Sequence, residues 1–523
     1  MYKVVNIKKT ILFINTCFFL FLLSCQNSSS EKNVDNKPLI IAEENFWDLT
    51  KSGGDATSLD AFPTSQAFGY PMPNLNSADL ESHLTGDALF EKNFTDDPNR
   101  PDFGLGPVQN NTSCIACHNQ DGRGSLPVGL NTSDWKKLGV NESLLLKLSI
   151  ENEDILSTAK NEKNNYGEPT GVPGFNTQLF HTGSYHLRPD SPGTGLAEVW
   201  IKLEKTTFQY PDGKSVQLSK PVFQIRNPYD SWLDQVSGQP RSRIFENDVR
   251  ISPRLGLPVF GLGLLESISE EDLISQSKID RTLEGVSGKL NWVFDAVKFQ
   301  DGDIYPVSIG RFGLKATQPT VLQQSLAALN NDMGVTNFLY PNENISGTAM
   351  YEKYLATTTD PIRIEASRAT STSIAFYAQT LAVPPRRNVN DLNVIQGAKI
   401  FDKIRCISCH TPVWKTSDSK ISALANQKIS PYTDLLLHDM GEGLADHRQD
   451  IDANGKEWKT RALWGIGLTK VVNPRAGFLH DGRAATIEEA ILWHAGEAQF
   501  SKNKFVNLTE SERQKLIQFI NSL

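Results

Sequence analysis

The chain carries one five-residue pattern twice, as Cys114-Ile115-Ala116-Cys117-His118 and Cys406-Ile407-Ser408-Cys409-His410. C-x-x-C-H is the attachment signature of c-type haem. Two thiols at this spacing add across the two vinyl groups of one porphyrin, and the adjacent histidine reaches the iron as proximal ligand. Paired C-x-x-C motifs also occur in four-cysteine zinc sites and in thioredoxin-like redox pairs. Neither needs a histidine directly after the second cysteine, and both copies have one. The sequence therefore predicts two covalently bound haem c groups, with His118 and His410 as iron ligands.

The chain has six cysteines, and the remaining two lie near the N-terminus, Cys17 and Cys25. Lys3, Lys8 and Lys9 precede an apolar run, Ile11 to Leu23, broken only by Asn15 and Thr16. The run is too short for a membrane span and reads as a secretory signal. It ends Leu22-Leu23-Ser24-Cys25, which resembles a bacterial lipobox. Residues 1–24 are thus expected to be a lipoprotein signal peptide, with Cys25 the lipidated N-terminus and residues 25–60 a flexible tether. That places the folded body on the periplasmic or cell-surface side of a bacterial membrane, held by lipid. A net charge of −8 argues against a nucleic-acid partner, which would call for a basic stripe. Hydrophobic residues at 39% exclude a disordered chain.

The segments before the two motifs are alike. Gly86 to Asn93 reads Gly-Asp-Ala-Leu-Phe-Glu-Lys-Asn, and Gly397 to Lys403 reads Gly-Ala-Lys-Ile-Phe-Asp-Lys. With a linker at Val383-Pro384-Pro385-Arg386-Arg387-Asn388, this predicts an N-terminal haem c domain over residues 61–383 and a C-terminal cytochrome c domain over 390–523. Alternation over residues 197–226 around Pro211-Asp212-Gly213-Lys214 predicts a β-hairpin. Val321 to Leu329 reads as helix. The expected fold is mainly α, with two cytochrome-c-like haem domains, the first enlarged by a β-rich insertion.

Thr486 with Glu489 and Thr509 with Glu512 form capping-box patterns. Behind the first, Ile487, Ala490, Ile491 and His494 fall on one helical face, so His494 is expected to point inward, either as the distal ligand of the second iron or as a buried histidine bonded to a backbone carbonyl. Met440 is the other candidate. For the first iron His83, His181, His186 and an open position all remain. Asp450-Ile451-Asp452-Ala453-Asn454-Gly455 begins like a calcium loop, but Arg461 stands where the bidentate glutamate is needed, so it reads as a surface Asx turn.

Beyond single motifs, the C-terminal part from Val394 resembles the bacterial dihaem cytochrome c peroxidases. It does so through the second C-x-x-C-H, Trp458-Lys459-Thr460-Arg461-Ala462-Leu463 and Phe478-Leu479-His480-Asp481-Gly482-Arg483. From about residue 60 to the end the chain more closely resembles the dihaem oxidoreductase family, also labelled thiol oxidoreductases. The stretches that carry this are Ser113-Cys114 to Gly124, Gly261 to Glu266, Gly310-Arg311-Phe312-Gly313, Asp332-Met333-Gly334 and Leu436 to Gly441. The resemblance implies that the helix after His480 supplies the distal ligand, here His494. It implies peroxide reduction at the first haem, with Asp332 shuttling the proton and Arg311 and a glutamine nearby. That glutamine is Gln318, Gln323 or Gln324, with Gln324 preferred. The tryptophan that precedes Gly-Arg in those peroxidases is replaced here by Ser308 and Ile309. Implied partners are hydrogen peroxide and a periplasmic electron donor, a small cytochrome or cupredoxin. A non-enzymatic electron-transfer cytochrome, or a dihaem oxidase acting on a protein or metal partner in iron handling, are the alternatives.

Overall fold

Each motif follows a helix on which a glycine and a phenylalanine lie four residues apart, and this pair sets the local packing. Asn76 caps the Ser77–Glu91 helix by accepting from the Asp79 N–H at 2.9 Å. Its Gly86 crosses the Arg368–Thr380 helix so closely that a Cβ would lie 2.3 Å from the Ser373 carbonyl oxygen and 2.7 Å from Tyr377 Cβ. Asp391 caps the Leu392–Lys403 helix. Its Gly397 meets the Glu510–Ser522 helix in the same way, with a Cβ 2.1 Å from the Lys515 carbonyl oxygen and 2.7 Å from Phe519 Cβ. Only glycine allows such an approach. Phe90 and Phe401 follow on the next turn and are buried. The two sequence stretches are therefore one arrangement built twice: a helix, a helix crossing it at glycine, and a C-x-x-C-H motif.

The computed structural model describes residues 49–523, apart from 98, 101, 140–141, 152–168, 184–195, 230–231, 234–236, 239, 305 and 357–362. The signal sequence, Cys25, the tether up to residue 48 and His186 lie outside the described residues. Asp48–Leu523 forms one compact unit. Its largest apolar cluster draws on residues from Ala56 to Val472, and a second gathers around Phe401, Phe505 and Phe519.

The hairpin is present and long. Glu198–Gln209 pairs with Ser215–Arg226 in unbroken antiparallel register, from Glu198 opposite Arg226 to Gln209 opposite Ser215. Its tip docks on the C-terminal helices. Tyr210 donates to Glu488 at 2.9 Å, Arg513 pairs with Asp212 at 2.5 Å, and the Arg513 guanidinium lies 3.9 Å from the Tyr210 ring centroid. Behind the hairpin, Leu144–Ile150 lies between Val249–Leu255 and Gln178–Leu179 in a three-stranded antiparallel sheet.

The mainly α expectation, with two cytochrome-c-like domains, is corrected. Of the described residues, 33% are helical and 20% are in strand. Among the described residues strand pairs recur from Val108 to Lys459 as small antiparallel sheets of two or three strands. They reach the C-terminal part, where Trp414–Lys415 pairs with Lys428–Ile429 and Leu437–Asp439 with Glu457–Lys459. Pairings this short are closed by contacts distant in sequence, so no local alternation announces them. The fold is a mixture of helix pairs and small sheets. The expected Val321 helix runs Val321–Met333, capped by Thr320 and stopped by Gly334 at φ 69°. Thr509 and Glu512 form the full capping box, and Thr486 caps Ile487–Trp493.

Candidate functional site

The two motifs share one mode of presentation. Cys114–Cys117 is a single helical turn with His118 at its end, and Cys406–Ser408 is a 3-10 turn leading to Cys409 and His410. All four thiols are free. Burial pushes those of Cys114, Cys117 and Cys406 up to about 12. His118 Nδ1 bonds the Leu257 carbonyl oxygen, and His410 Nδ1 bonds that of Tyr432 at 3.0 Å. Each Nε2 has no hydrogen-bond partner among the described residues. Phe90 stands 6.1 Å from the His118 ring centroid, and Phe401 stands 6.1 Å from that of His410. Burial lowers both imidazoles, His410 to about 4, so both are neutral, as a ligand must be.

Both motifs open on one cavity of about 510 Å³. Among the described residues no set of three His, Cys, Asp or Glu gathers as a metal cage. Haem fits what is present. Each motif offers two free thiols and a neutral imidazole oriented through Nδ1, the usual setting of a metal-bound histidine.

At the second motif, His494 lines the cavity from the end of the Ile487–Trp493 helix. Its Nδ1 bonds the Ala490 carbonyl oxygen at 2.7 Å, the same device that orients His118 and His410. Met440 also lines the cavity, packed in an apolar group with Leu314, Leu444 and Trp458. His438 is consumed by carboxylates, with Nε2 on Asp434 at 3.0 Å and Nδ1 on Glu497 at 2.7 Å. Burial alone would lower its pKa, but Asp434 and the Cys409 sulfur hold it well above the ordinary value. It is an imidazolium behind Cys409, at 3.6 Å from the sulfur.

Around the first motif the residues differ. Asp332 lines the cavity at the end of the Val321–Met333 helix. Its Oδ1 accepts from Gln178 Nε2 at 3.0 Å and lies 3.8 Å from Lys147 Nζ, while Oδ2 has no partner among the described residues. Gln318 and Gln324 line the same cavity, and Gln318 Oε1 is buried without a partner. Gln323 is committed elsewhere, accepting from Ala296 N–H and donating to the Phe294 carbonyl oxygen. Arg311 is not at the cavity wall. Its guanidinium donates to the carbonyl oxygens of Leu265, Glu266 and Ile268, at the end of the Leu262–Glu266 helix. His83 bonds Thr380 at 2.8 Å and His181 bonds Asn110 at 2.8 Å; neither lines the cavity, and burial lowers both to about 4.

The surface reading of the Asp450 turn is corrected. Asp450 is buried, pairs with Arg254 and Arg448, and adjoins the buried Lys315–Asp446 pair. Burial would raise this carboxyl, but the two arginines and Lys315 hold it well below the ordinary range. Its oxygens serve arginines, which leaves no cation loop.

Sequence reasoning missed Lys147 and Gln178. Lys147 carried a signal: it interrupts Leu144-Leu145-Leu146-Lys147-Leu148-Ser149-Ile150, where a strand buried on both faces leaves a charge facing something. Gln178 carried none.

A family model described as "Di-haem oxidoreductase, putative peroxidase" matches residues 46–523. No curated protein matches the chain.

Proposed function

The chain belongs to the di-haem oxidoreductase family, and from that premise we propose that it reduces hydrogen peroxide to water, with electrons from a one-electron donor outside the cytoplasm. The observation that carries this reading is Asp332, a carboxylate on the wall of the cavity shared with the first motif, with one oxygen held and the other without a partner among the described residues. Cys114, Cys117 and His118 would hold one haem covalently; Cys406, Cys409, His410 and His494 would hold the other. When bound, the two haems supply one-electron redox chemistry, and the protein supplies orientation and electrostatics.

The overall change consumes two electrons and two protons per peroxide and yields two waters. The share of Asp332 is protonic. Its Oδ2 takes the proton from one peroxide oxygen and returns it to the other as the O–O bond breaks, so that the departing oxygen leaves as water. Gln178 and Lys147 hold Oδ1 and so fix which oxygen faces the cavity. The Gln324 amide orients the peroxide. Arg311 acts at a remove, by pinning the loop from Phe312 to Gln318 to a helix end. His494 would close the second iron to exogenous ligands and leave it to pass electrons. Lipidated Cys25 would tether the body on the periplasmic or surface side of the membrane, within reach of a small cytochrome or cupredoxin.

The test mixes holoprotein with hydrogen peroxide and a reduced one-electron donor and follows donor oxidation beside the haem spectrum. Asp332→Asn is expected to lower kcat by about 10²–10⁴, the usual worth of a positioned proton carrier, with haem content unchanged. Full turnover in that variant would discard the shuttle. No turnover in the unaltered protein would discard the peroxidase reading in favour of electron transfer.

A further inference from the structure

The segment from Trp458 to Trp464 is a wall common to both motifs, since every residue in it lines the cavity. It is tied to the second motif through the backbone. The Thr460 N–H donates to the Leu436 carbonyl oxygen at 2.9 Å, the Thr433 hydroxyl donates to the Thr460 carbonyl oxygen at 2.8 Å, and the Leu463 N–H donates to the Pro431 carbonyl oxygen at 2.8 Å. These contacts flank Tyr432, whose carbonyl orients His410. The same wall reaches the first motif, because Trp464 is buried in the apolar cluster against which Cys114, Ile115 and Ala462 pack. The Arg461 charge also helps lower the His118 imidazole, after burial.

Two cations on this wall lack counterions. Lys459 is only 6% exposed. Neither its Nζ nor the Arg461 guanidinium has a hydrogen-bond or ion-pair partner among the described residues. Among the other cations at this cavity, Arg123 donates to the carbonyl oxygens of Gly477 and Leu479, Arg254 pairs with Asp450, Arg405 pairs with Glu284 and Lys147 faces Asp332, while Lys502, on the helix after His494, likewise has no partner among the described residues. Burial depresses both unpaired groups, Arg461 to about 9, and each repels the other or Arg123 in addition. Two neighbouring charges in a largely apolar cavity cost several kcal/mol per ion unless an anion meets them. A fork of guanidinium donors beside a point-charge ammonium suits carboxylate.

We propose that Lys459 and Arg461 are the seat of the carboxylate side chains of the tetrapyrrole attached at Cys114 and Cys117. The inference rests on covalent attachment at that motif. The cradle would do two things. It would fix the rotation of the macrocycle about the thioether links by a third, ionic hold. It would also set the first haem's potential, because positive charge beside its carboxylates favours the reduced state.

The test uses holoprotein and reads potentials, not turnover. Haem content by alkaline pyridine spectroscopy comes first: two covalent haems in the unaltered chain support attachment, and fewer than two would sink that premise separately. Spectroelectrochemical titration of Arg461→Gln and Lys459→Met is then run from acid to alkaline pH. The expected result is a fall in one midpoint potential and none in the other. The lowered potential should also gain a pH dependence, because the released carboxylate now titrates. Both potentials unchanged at full haem content would overturn the proposal. Where Arg461→Gln loses one haem, Arg461→Lys decides: two haems and a near-native potential support the cradle, and a renewed loss overturns it in favour of packing. Acetate titration of the unaltered protein covers a diffusible carboxylate. An acetate-induced spectral change that Arg461→Gln abolishes would assign the seat to a free anion and overturn the proposal as stated.

Discussion

The two motif-bearing regions are alike where they would attach a cofactor and unlike where they would use it. On the attachment side each has a Gly-x-x-x-Phe helix crossed by a second helix, a histidine oriented through Nδ1 by a backbone carbonyl, and a phenylalanine 6.1 Å from that histidine. Opposite the second motif stands His494, a neutral imidazole oriented by the same device. Beside the first stand Asp332, Lys147, Gln318 and Gln324, with no histidine among the candidates His83 and His181. The repeated half is local in sequence and generic. The divergent half is assembled from strands and helices far apart in the chain, and it is there that the proposed ligand site and reaction site would part company.

Four experiments would break or sharpen that contrast. The largest effect is expected from His494→Ala. It should convert one of two haems from low-spin to ligand-accessible, so that cyanide titrates one more equivalent than in the unaltered protein. An unchanged cyanide stoichiometry would remove His494 from the iron and leave Met440 as the alternative. Lys147→Met should lower peroxide turnover by about tenfold, roughly 1.4 kcal/mol of lost positioning, well short of the loss in Asp332→Asn. An equal loss in both would make the lysine a proton carrier in its own right.

The repeat itself is tested by paired glycine substitutions. Gly86→Ala and Gly397→Ala each drive a methyl into a carbonyl oxygen, at 2.3 and 2.1 Å, and should each cost about 1–3 kcal/mol in thermal unfolding. Comparable losses would confirm equivalent helix crossings. A loss at only one would show that the other crossing relaxes.

The smallest effect concerns pH. Asp121, which accepts from the Tyr377 hydroxyl at 2.8 Å behind the first motif, is raised to about 7 by burial. A carboxyl whose folded pKa exceeds its unfolded value holds its proton more tightly when folded. Its contribution is therefore complete below the unfolded value near pH 4 and is lost as pH rises through about 7. Glu343 at about 8 and Glu365 at about 7 act in the same sense. The thermal midpoint should fall from pH 4 to pH 8, and Asp121→Asn should flatten that slope. No counterpart of Asp121 follows the second motif, where Pro412 and Val413 stand after Thr411.

What could be read from the sequence follows the range of the interactions. The motifs, their lead-in helices, the hairpin and the caps at Thr486 and Thr509 rest on residues a few positions apart, so the chain displays them. His494 was legible as inward-facing, although it sits at the end of its helix and not within it. The short strands at Leu437–Asp439 and Glu457–Lys459 were not legible, because they exist only through each other. Gln323 and Gln324 are neighbours in sequence, yet one is spent on the Ala296 and Phe294 backbone while the other faces the cavity. A helix turns about 100° per residue, and the alignment of a motif does not resolve that angle.

The wall at Trp458–Trp464 also dictates an order of manufacture. The first cysteine pair leaves the ribosome well over 300 residues before this wall does, and the hairpin tip waits 278 residues for Glu488 and 301 for Arg513. A group joined to Cys114 and Cys117 before the chain folds would meet that side of its chamber only as the fold closes. On that route the chamber is built around its content and needs no doorway wide enough to admit it.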